Sequence, residues 1–220
     1  MARIDLYRNV HKGQRAHLFS LAVELGRTDH EDAAKVSALA ARLRAALADL
    51  RRHAENEERF IHPLLRARAP NIAAILEREH QDLEPVLVDV EERVDGFQRA
   101  QGNALDTGVE LYHAWCRMVF AYLAHIDAEE RIGMPALWNA CSDDEIFAAI
   151  REFIASRTAT EQIDDLRSQA PALSPQERAM LVASAMKGGA PAEPVWASLA
   201  AVLPSPDLAR LRADVGIGVG

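Results

Sequence analysis

One pattern of histidine and glutamate residues occurs twice in this chain, in the same order. In the first copy His53 precedes Glu57 by four residues, and in the second His125 precedes Glu129 by the same interval. Each glutamate is followed by Glu-Arg, and a proline stands ten residues after each histidine. Residues four apart project from one face of an α-helix. Each copy therefore offers one imidazole and one carboxylate side by side.

A further histidine lies upstream of each copy, on a separate segment with helical apolar periodicity: His11 is 42 residues before His53, and His80 is 45 before His125. Imidazole nitrogen combined with carboxylate oxygen suits iron, manganese or zinc. Six protein ligands are too many for one ion that keeps an open position, so the pattern predicts two metal ions that share glutamates. The predicted metal ligands are His11, His53, Glu57, His80, His125 and Glu129.

His17 competes with His11 as the upstream ligand of the first copy. Only His11 shares a helical stripe with Leu18 and Leu25, in the way that His80 shares one with the apolar residues that follow it. We therefore predict that His11 is the ligand. The histidines that lie off the ligand level or in loops are predicted to be surface residues: His30, His62 and His113.

Other residues near the pattern have competing interpretations. The second glutamate and the arginine of each copy point away from the ligand face, which favours solvated or interhelical ion pairs for Glu58, Arg59, Glu130 and Arg131. A tyrosine precedes two of the histidines by about one helical turn. Tyr7 and Tyr122 either fill the core or hydrogen-bond a glutamate or a bound ligand.

Four segments with apolar residues at steps of three and four predict amphipathic helices, which would bury their stripes together in a four-helix bundle. They cover about 4–25, 31–65, 70–97 and 111–136. Pro63 is expected near the end of the second helix, and Pro85 is expected to bend the third. Gly102-Asn103 is expected to form the loop before the fourth helix. Each stripe is interrupted at one level by histidine, and buried ionisable groups at one depth need partners or a metal.

The pattern changes after residue 140. A fifth helix is predicted over 146–154, followed by short helices over about 159–168, 175–187, 193–203 and 206–213. Ser174 and Glu177, with Pro175 between them, have the spacing of a helix N-cap with a capping box. This region contains no histidine. We therefore predict a metal-binding bundle over 1–140 and a helical extension over 141–220 that packs on it.

Composition excludes several classes of protein. The net charge is −8 and there is no basic tract, so nucleic acid is not an expected partner. No stretch reaches the ~18 apolar residues of a membrane span, and no apolar signal core is visible. The two cysteines, Cys116 and Cys141, fit no metal-ligand spacing. Together these features favour a soluble cytoplasmic protein.

The order His, His-x-x-x-Glu, His, His-x-x-x-Glu resembles the hemerythrin-like cation-binding (HHE) family over roughly residues 1–140. The resemblance implies an all-α, up-down four-helix bundle with a non-haem di-iron centre, usually oxo- or hydroxo-bridged. Family members bind oxygen, and they act as oxygen carriers, as oxygen, iron or redox sensors, or in iron–sulfur repair and nitric oxide chemistry. Carried over by position, the four histidines would be terminal ligands, and Glu57 and Glu129 would be bridging carboxylates.

The chain departs from the invertebrate oxygen carriers of that family on its third helix, where those proteins have a second histidine one turn from the first. Here Leu76 stands four residues before His80, and Glu84 stands four residues after it. Either the site has six protein ligands, or Glu84 supplies a seventh. Fewer histidines favour sensing, redox or peroxide chemistry over reversible oxygen carriage.

Three hypotheses about function follow. In the first, two iron ions bind oxygen, nitric oxide or a related small ligand, and the protein senses or handles oxygen, redox state or iron. In the second, the same iron turns over peroxide or nitric oxide, and the protein is a redox enzyme. In the third, the bundle is structural and its histidines hold zinc or no metal. The pattern does not predict an oligomeric state.

Overall fold

The computed structural model describes residues 3–100 and 104–217, and within these ranges all regular structure is helical. The all-α prediction is therefore confirmed. The chain divides into two compact units. The bundle unit comprises the described residues of Met1–Asp5 and His17–Ala149, and the extension unit comprises those of Leu6–Ala16 and Ile150–Gly220.

Four long helices form the up-down bundle that the sequence predicted. They are α1 (Arg8–Arg27), α2 (Ala33–Phe60), α4 (Pro70–Arg99) and α5 (Ala104–Ala128), with the short α3 (His62–Arg68) between the second and the third of them. Apolar side chains from the second half of α1 and from α2, α4 and α5 fill one core, which includes Leu21, Leu43, Val94 and Trp115. The predicted loop at Gly102-Asn103 lies outside the described residues.

Both copies of the repeated pattern interrupt regular α-helix shortly before their proline. Proline has no N–H to donate and clashes with the carbonyl four residues before it. In the first copy α2 ends at Phe60, five residues before the predicted end, so the prediction that Pro63 lies near the end of the second helix was wrong: Pro63 lies in the first turn of the separate helix α3. In the second copy α5 gives way to a π-helical turn, Glu129–Gly133, and α6 (Met134–Ala140) begins just before Pro135. Helix α4, by contrast, continues through Pro85.

The turn between α1 and α2 packs closely on α5. The His30 ring lies edge-on to Phe97 at 5.4 Å, and a Cβ atom at Gly108 would lie only 2.4 Å from that ring. The absence of a side chain at Gly108 therefore allows the contact. His30, predicted to be a surface residue, is half-buried. Asp32 then caps α2 by accepting hydrogen bonds from the backbone N–H groups of Ala34 and Lys35.

Helix α7 (Asp143–Ala155) is followed by four more helices, close to the predicted ranges: α8 (Ala159–Gln169), α9 (Pro175–Lys187), α10 (Ala192–Ala200) and α11 (Ser205–Ile217). Helix α9 begins with the predicted capping box between Ser174 and Glu177. The extension unit has its own apolar core, formed by side chains that include Leu166, Val182 and Leu199. The buried guanidinium of Arg178 donates hydrogen bonds to the carbonyls of Ala170 and Leu173.

The first half of α1 belongs to the extension unit, although its sequence pattern is that of a bundle helix. Lys12 Nζ lies 2.6 Å from Glu177 Oε1, and a Cβ atom at Gly13 would lie 3.3 Å from Gln169 Cα. The packing of residues 141–220 on the bundle stays a prediction. In the described part of the chain, no helix is long and apolar enough to cross a membrane.

We predict that Glu177→Gln lowers the free energy of unfolding at neutral pH by about 0.5–1 kcal/mol, the contribution of a partly exposed ion pair. Hydrogen bonds from Lys12 and Ser174 lower the pKa of Glu177 from 4.5 to about 2. Because the folded-state pKa is depressed, this stabilisation is complete above pH 4.5 and is lost as the pH falls towards 2. Urea unfolding of the variant and the wild type at several pH values measures the difference.

The matched control for Glu177 is Asp164→Asn, which removes an exposed carboxylate from α8 of the same unit. We expect little change in this control. An equal loss of stability in both variants, or a difference that does not change with pH, would contradict the assigned role of Glu177.

Candidate metal centre

Four elements of the bundle unit bring imidazoles and carboxylates, all but His53 buried, to one level. Helix α2 supplies His53 and Glu57, α4 supplies His80, and α5 with the π-helical turn supplies His125 and Glu129. Glu57 is 2% exposed and Glu129 is 0% exposed. Removing two carboxylates from water is costly unless cations or hydrogen-bond donors accompany them. The bundle therefore has to neutralise charge at this level.

One cluster has the dimensions of a metal site. Glu57, His80, His125 and Glu129 each offer one ligand atom, and these atoms all lie within 4.8 Å of one another. His80 Nε2 is 3.4 Å from Glu57 Oε2, and His125 Nε2 is 3.3 Å from Glu129 Oε1. Donor atoms that surround one ion at about 2.1 Å lie at most ~4.2 Å apart. The four donors thus fit a single ion after small side-chain adjustments.

A second set of donors shares both glutamates with the first. His53 Nε2 lies 2.9 Å from Glu57 Oε1, and ligand atoms of His53, Glu57 and Glu129 lie within 4.8 Å of one another. Five of the six predicted ligands are therefore brought together in the bundle unit. The two carboxylates belong to both sets, one with the histidine of α2 and the other with the histidines of α4 and α5. The assignment of all these residues as ligands stays a prediction.

The sixth predicted ligand, His11, lies in the part of α1 that belongs to the extension unit. Its ring is fully buried and stacks on Tyr7, with the ring centroids 5.2 Å apart. His17, the alternative candidate, is exposed. The burial of His11 agrees with the helix-phase argument that preferred it over His17, but its role as a ligand is still a prediction.

The carboxylates also control the ionisation of the histidines. Burial alone would lower the pKa of His80, but Glu129 and Glu57 raise it to about 10. Burial opposes protonation of His125 as well, and Glu129 and then Glu79 raise its pKa. Without a metal, a proton on His80 therefore balances part of the charge of the buried carboxylates. A metal ion would have to displace that proton, and it would supply the same positive charge.

Two further carboxylates orient predicted ligand histidines from outside the cluster. Glu58 Oε1 lies 3.2 Å from His80 Nδ1, and Glu79 Oε2 lies 2.9 Å from His125 Nδ1. A carboxylate on the far nitrogen fixes the tautomer of a metal-binding histidine and raises its basicity. A solvated or interhelical pair was predicted for Glu58, and its contact with His80 joins α2 to α4, whereas no role was predicted for Glu79. The only available signal was that each glutamate is adjacent to a predicted ligand, Glu57 or His80.

His62 was predicted to lie at the surface, and this prediction was wrong. Its side chain is fully buried, and its ring stacks on that of His80 with centroids 5.3 Å apart and an interplanar angle of 9°. Burial, and then the neighbouring His80, lower the pKa of His62, so its ring is neutral near pH 7. His113 is exposed, as expected.

Glu84, which the sequence left open as a seventh ligand, does not approach the cluster. It is exposed, and its Oε1 lies 3.0 Å from Arg51 Nε. Tyr122 is buried, and its ring centroid lies 6.1 Å from that of His125. On α4 it is therefore Glu79, and not Glu84, whose carboxylate lies close to a predicted ligand, His125.

We predict that Glu79→Gln weakens metal binding by about 10–100-fold, the usual effect of removing a carboxylate that orients a ligand histidine. Isothermal titration of the metal-free protein with a divalent cation measures this change. The matched control is Glu84→Gln, five residues further along the same helix, which should bind the metal like the wild type. Equal affinities in the wild type and the Glu79 variant would show that Glu79 does not support the centre.

Comparison with known proteins agrees with this geometry. Neither a curated protein nor a solved structure matches the chain. The family described as hemerythrin HHE cation-binding domain matches residues 2–137, which include all six predicted ligands. Because this match covers more than half of the chain, the protein belongs to the hemerythrin HHE cation-binding family.

Proposed function

We propose that the protein is a non-haem di-iron protein that binds oxygen or a related small ligand, such as peroxide or nitric oxide, and takes part in sensing or handling oxygen, redox state or iron. Two iron ions would be held by His11, His53, His80 and His125 as terminal ligands. Glu57 and Glu129 would bridge the two ions.

The observation that carries the proposal is the position of the two buried glutamates. Glu57 and Glu129 have donor atoms both in the set with His53 and in the cluster with His80 and His125. A carboxylate has two oxygen atoms, so it can bind one cation with each of them. Carboxylates between two cations also reduce the repulsion between those cations. A pair of shared carboxylates therefore suits two neighbouring ions better than one.

Iron in such a site would supply reversible one-electron chemistry and coordination positions for a small ligand. The rest of the function depends on the residues of the chain. Glu58 contacts Nδ1 of His80, and Glu79 contacts Nδ1 of His125. Nε2 of each ring therefore keeps a fixed direction towards the centre. The apolar core of the bundle unit would help to exclude bulk water from such a site. Tyr122 is buried beside His125, and its hydroxyl would be a candidate hydrogen-bond donor to a ligand there.

The first test is metal content. We expect the purified wild-type protein to contain two iron ions per chain and to show oxo-bridge absorption. His11→Ala should lose iron, because the ion bound by His11 and His53 would then keep only His53 and the shared carboxylates. The control is His17→Ala, which removes an exposed imidazole six residues along the same helix.

Three results of the metal measurement would contradict part of the proposal. Zinc in place of iron would support a structural bundle. One metal ion per chain would contradict the bridging role of Glu57 and Glu129. Greater iron loss in the His17 variant than in the His11 variant would overturn the choice between the two histidines.

The second test concerns reversibility. We predict that the reduced protein reacts with oxygen but is a poor reversible carrier, because α4 offers only His80 where oxygen carriers have two histidines. Glu84 does not compensate, since it pairs with Arg51 at the surface. The measurement is anaerobic reduction, exposure to oxygen and removal of oxygen under vacuum, with absorption spectra after each cycle. Progressive conversion to a stable ferric form is expected, whereas full recovery of the ferrous form over many cycles would identify a carrier.

A further inference from the structure

One buried imidazole next to the candidate centre has no place in the proposed ligand set. His62 is fully buried, and within residues 3–100 and 104–217 neither of its ring nitrogens makes a hydrogen bond. Buried polar side chains nearly always have a hydrogen-bond partner. Both ring nitrogens of His62 are therefore available to a small molecule at the centre.

Glu77, whose carboxylate faces a ring nitrogen of His62, does not fill the role of hydrogen-bond partner. Glu77 Oε1 lies 3.6 Å from His62 Nδ1, which is too far for a hydrogen bond. The same oxygen lies 2.5 Å from Arg66 Nε, so it already accepts a strong charge-assisted hydrogen bond. Glu77 is thus held by the arginine on α3 rather than by the histidine.

The position of His62 connects it to the centre. Its ring is nearly parallel to that of His80, and His80 Nε2 faces Glu57 and Glu129. Neither group of donor atoms that approach within 4.8 Å includes a nitrogen of His62. His62 therefore lies alongside a predicted ligand without belonging to the ligand set itself.

The break in helix geometry accounts for this position. Nine residues separate His53 from His62, which on one uninterrupted helix would place them about 180° apart. The break at Ile61 and the start of α3 at His62 remove that constraint, and α3 packs on α4. His62 and Leu65 are consequently both buried.

We propose that His62 hydrogen-bonds a small ligand held at the metal centre beside His80. An imidazole carries at least one N–H donor in either protonation state, so it can hydrogen-bond an anion or a protic ligand such as peroxide. The inference rests on the part of the proposed function that places metal ions between these histidines and glutamates, but it does not depend on iron being the native metal.

The experiment uses cobalt(II), which binds imidazole and carboxylate donors, and azide as the small anion. Cobalt-loaded wild-type protein is titrated with azide, and visible absorption follows binding. His62→Phe keeps a flat ring that can stack on His80 but removes both nitrogens. We expect cobalt content like that of the wild type and an azide dissociation constant about tenfold higher, the effect of one hydrogen bond to an anion. His113→Phe, which replaces an exposed histidine of α5, is the control and should bind azide normally.

The outcomes separate His62 from the rest of the centre. Loss of cobalt in His62→Phe would make His62 a metal ligand and overturn the inference, and so would unchanged azide affinity or a wild-type protein that binds no azide. Circular dichroism verifies folding, and His62→Leu takes the place of the phenylalanine variant if that variant does not fold. Absence of iron from the purified wild-type protein would count against the proposed function alone, since the cobalt titration does not need iron.

Discussion

The bundle unit depends on neutralising two carboxylates that lie in an apolar core. Glu57 and Glu129 are almost fully buried, and isolated charges there would cost several kcal/mol each. His80 supplies a compensating charge, as its pKa of about 10 in the metal-free state indicates. The same geometry suits metal ions, which would replace the proton on His80. The histidines thus serve the stability of the metal-free protein and the binding of metal in the loaded protein, and both roles require them at the same level of the bundle.

The two copies of the repeated pattern are alike in sequence but not in structure. Each has a proline ten residues after its histidine, yet the first copy breaks the helix at Ile61, and the second accommodates the proline with a π-helical turn that begins at Glu129. π-Helical turns are rare and frequently occur at functional sites. The difference makes the surroundings of the two ligand pairs unequal, because only the first break brings a buried histidine, His62, next to the centre.

The outer carboxylates show how the bundle connects its helices through the site. Glu58 of α2 contacts His80 of α4, and Glu79 of α4 contacts His125 of α5. Each predicted ligand on α4 and α5 is therefore held by the preceding long helix of the bundle. Both carboxylates are partly exposed, so they can carry charge at a modest desolvation cost while fixing buried imidazoles. Helix α1 differs, since its first half, which carries His11, groups with the extension unit.

Periodicity and spacing were sufficient to predict the four long helices of the bundle and the all-α class, but not the breaks after Phe60 and Ala128. They also predicted five residues that meet in the bundle unit, because helical phase places residues four apart on one face. The ranges of α4 and α9 and the capping box at Ser174 also follow from local signals, since proline and N-cap residues act on their own helix. The sequence could not predict the position of His62, the contacts of Glu58 and Glu79, or the surface pairing of Glu84 with Arg51. Those depend on how a helix break rotates the next segment and on which side chains of neighbouring helices meet. Only the packed tertiary structure decides such contacts, because they join residues with no fixed relation along the chain.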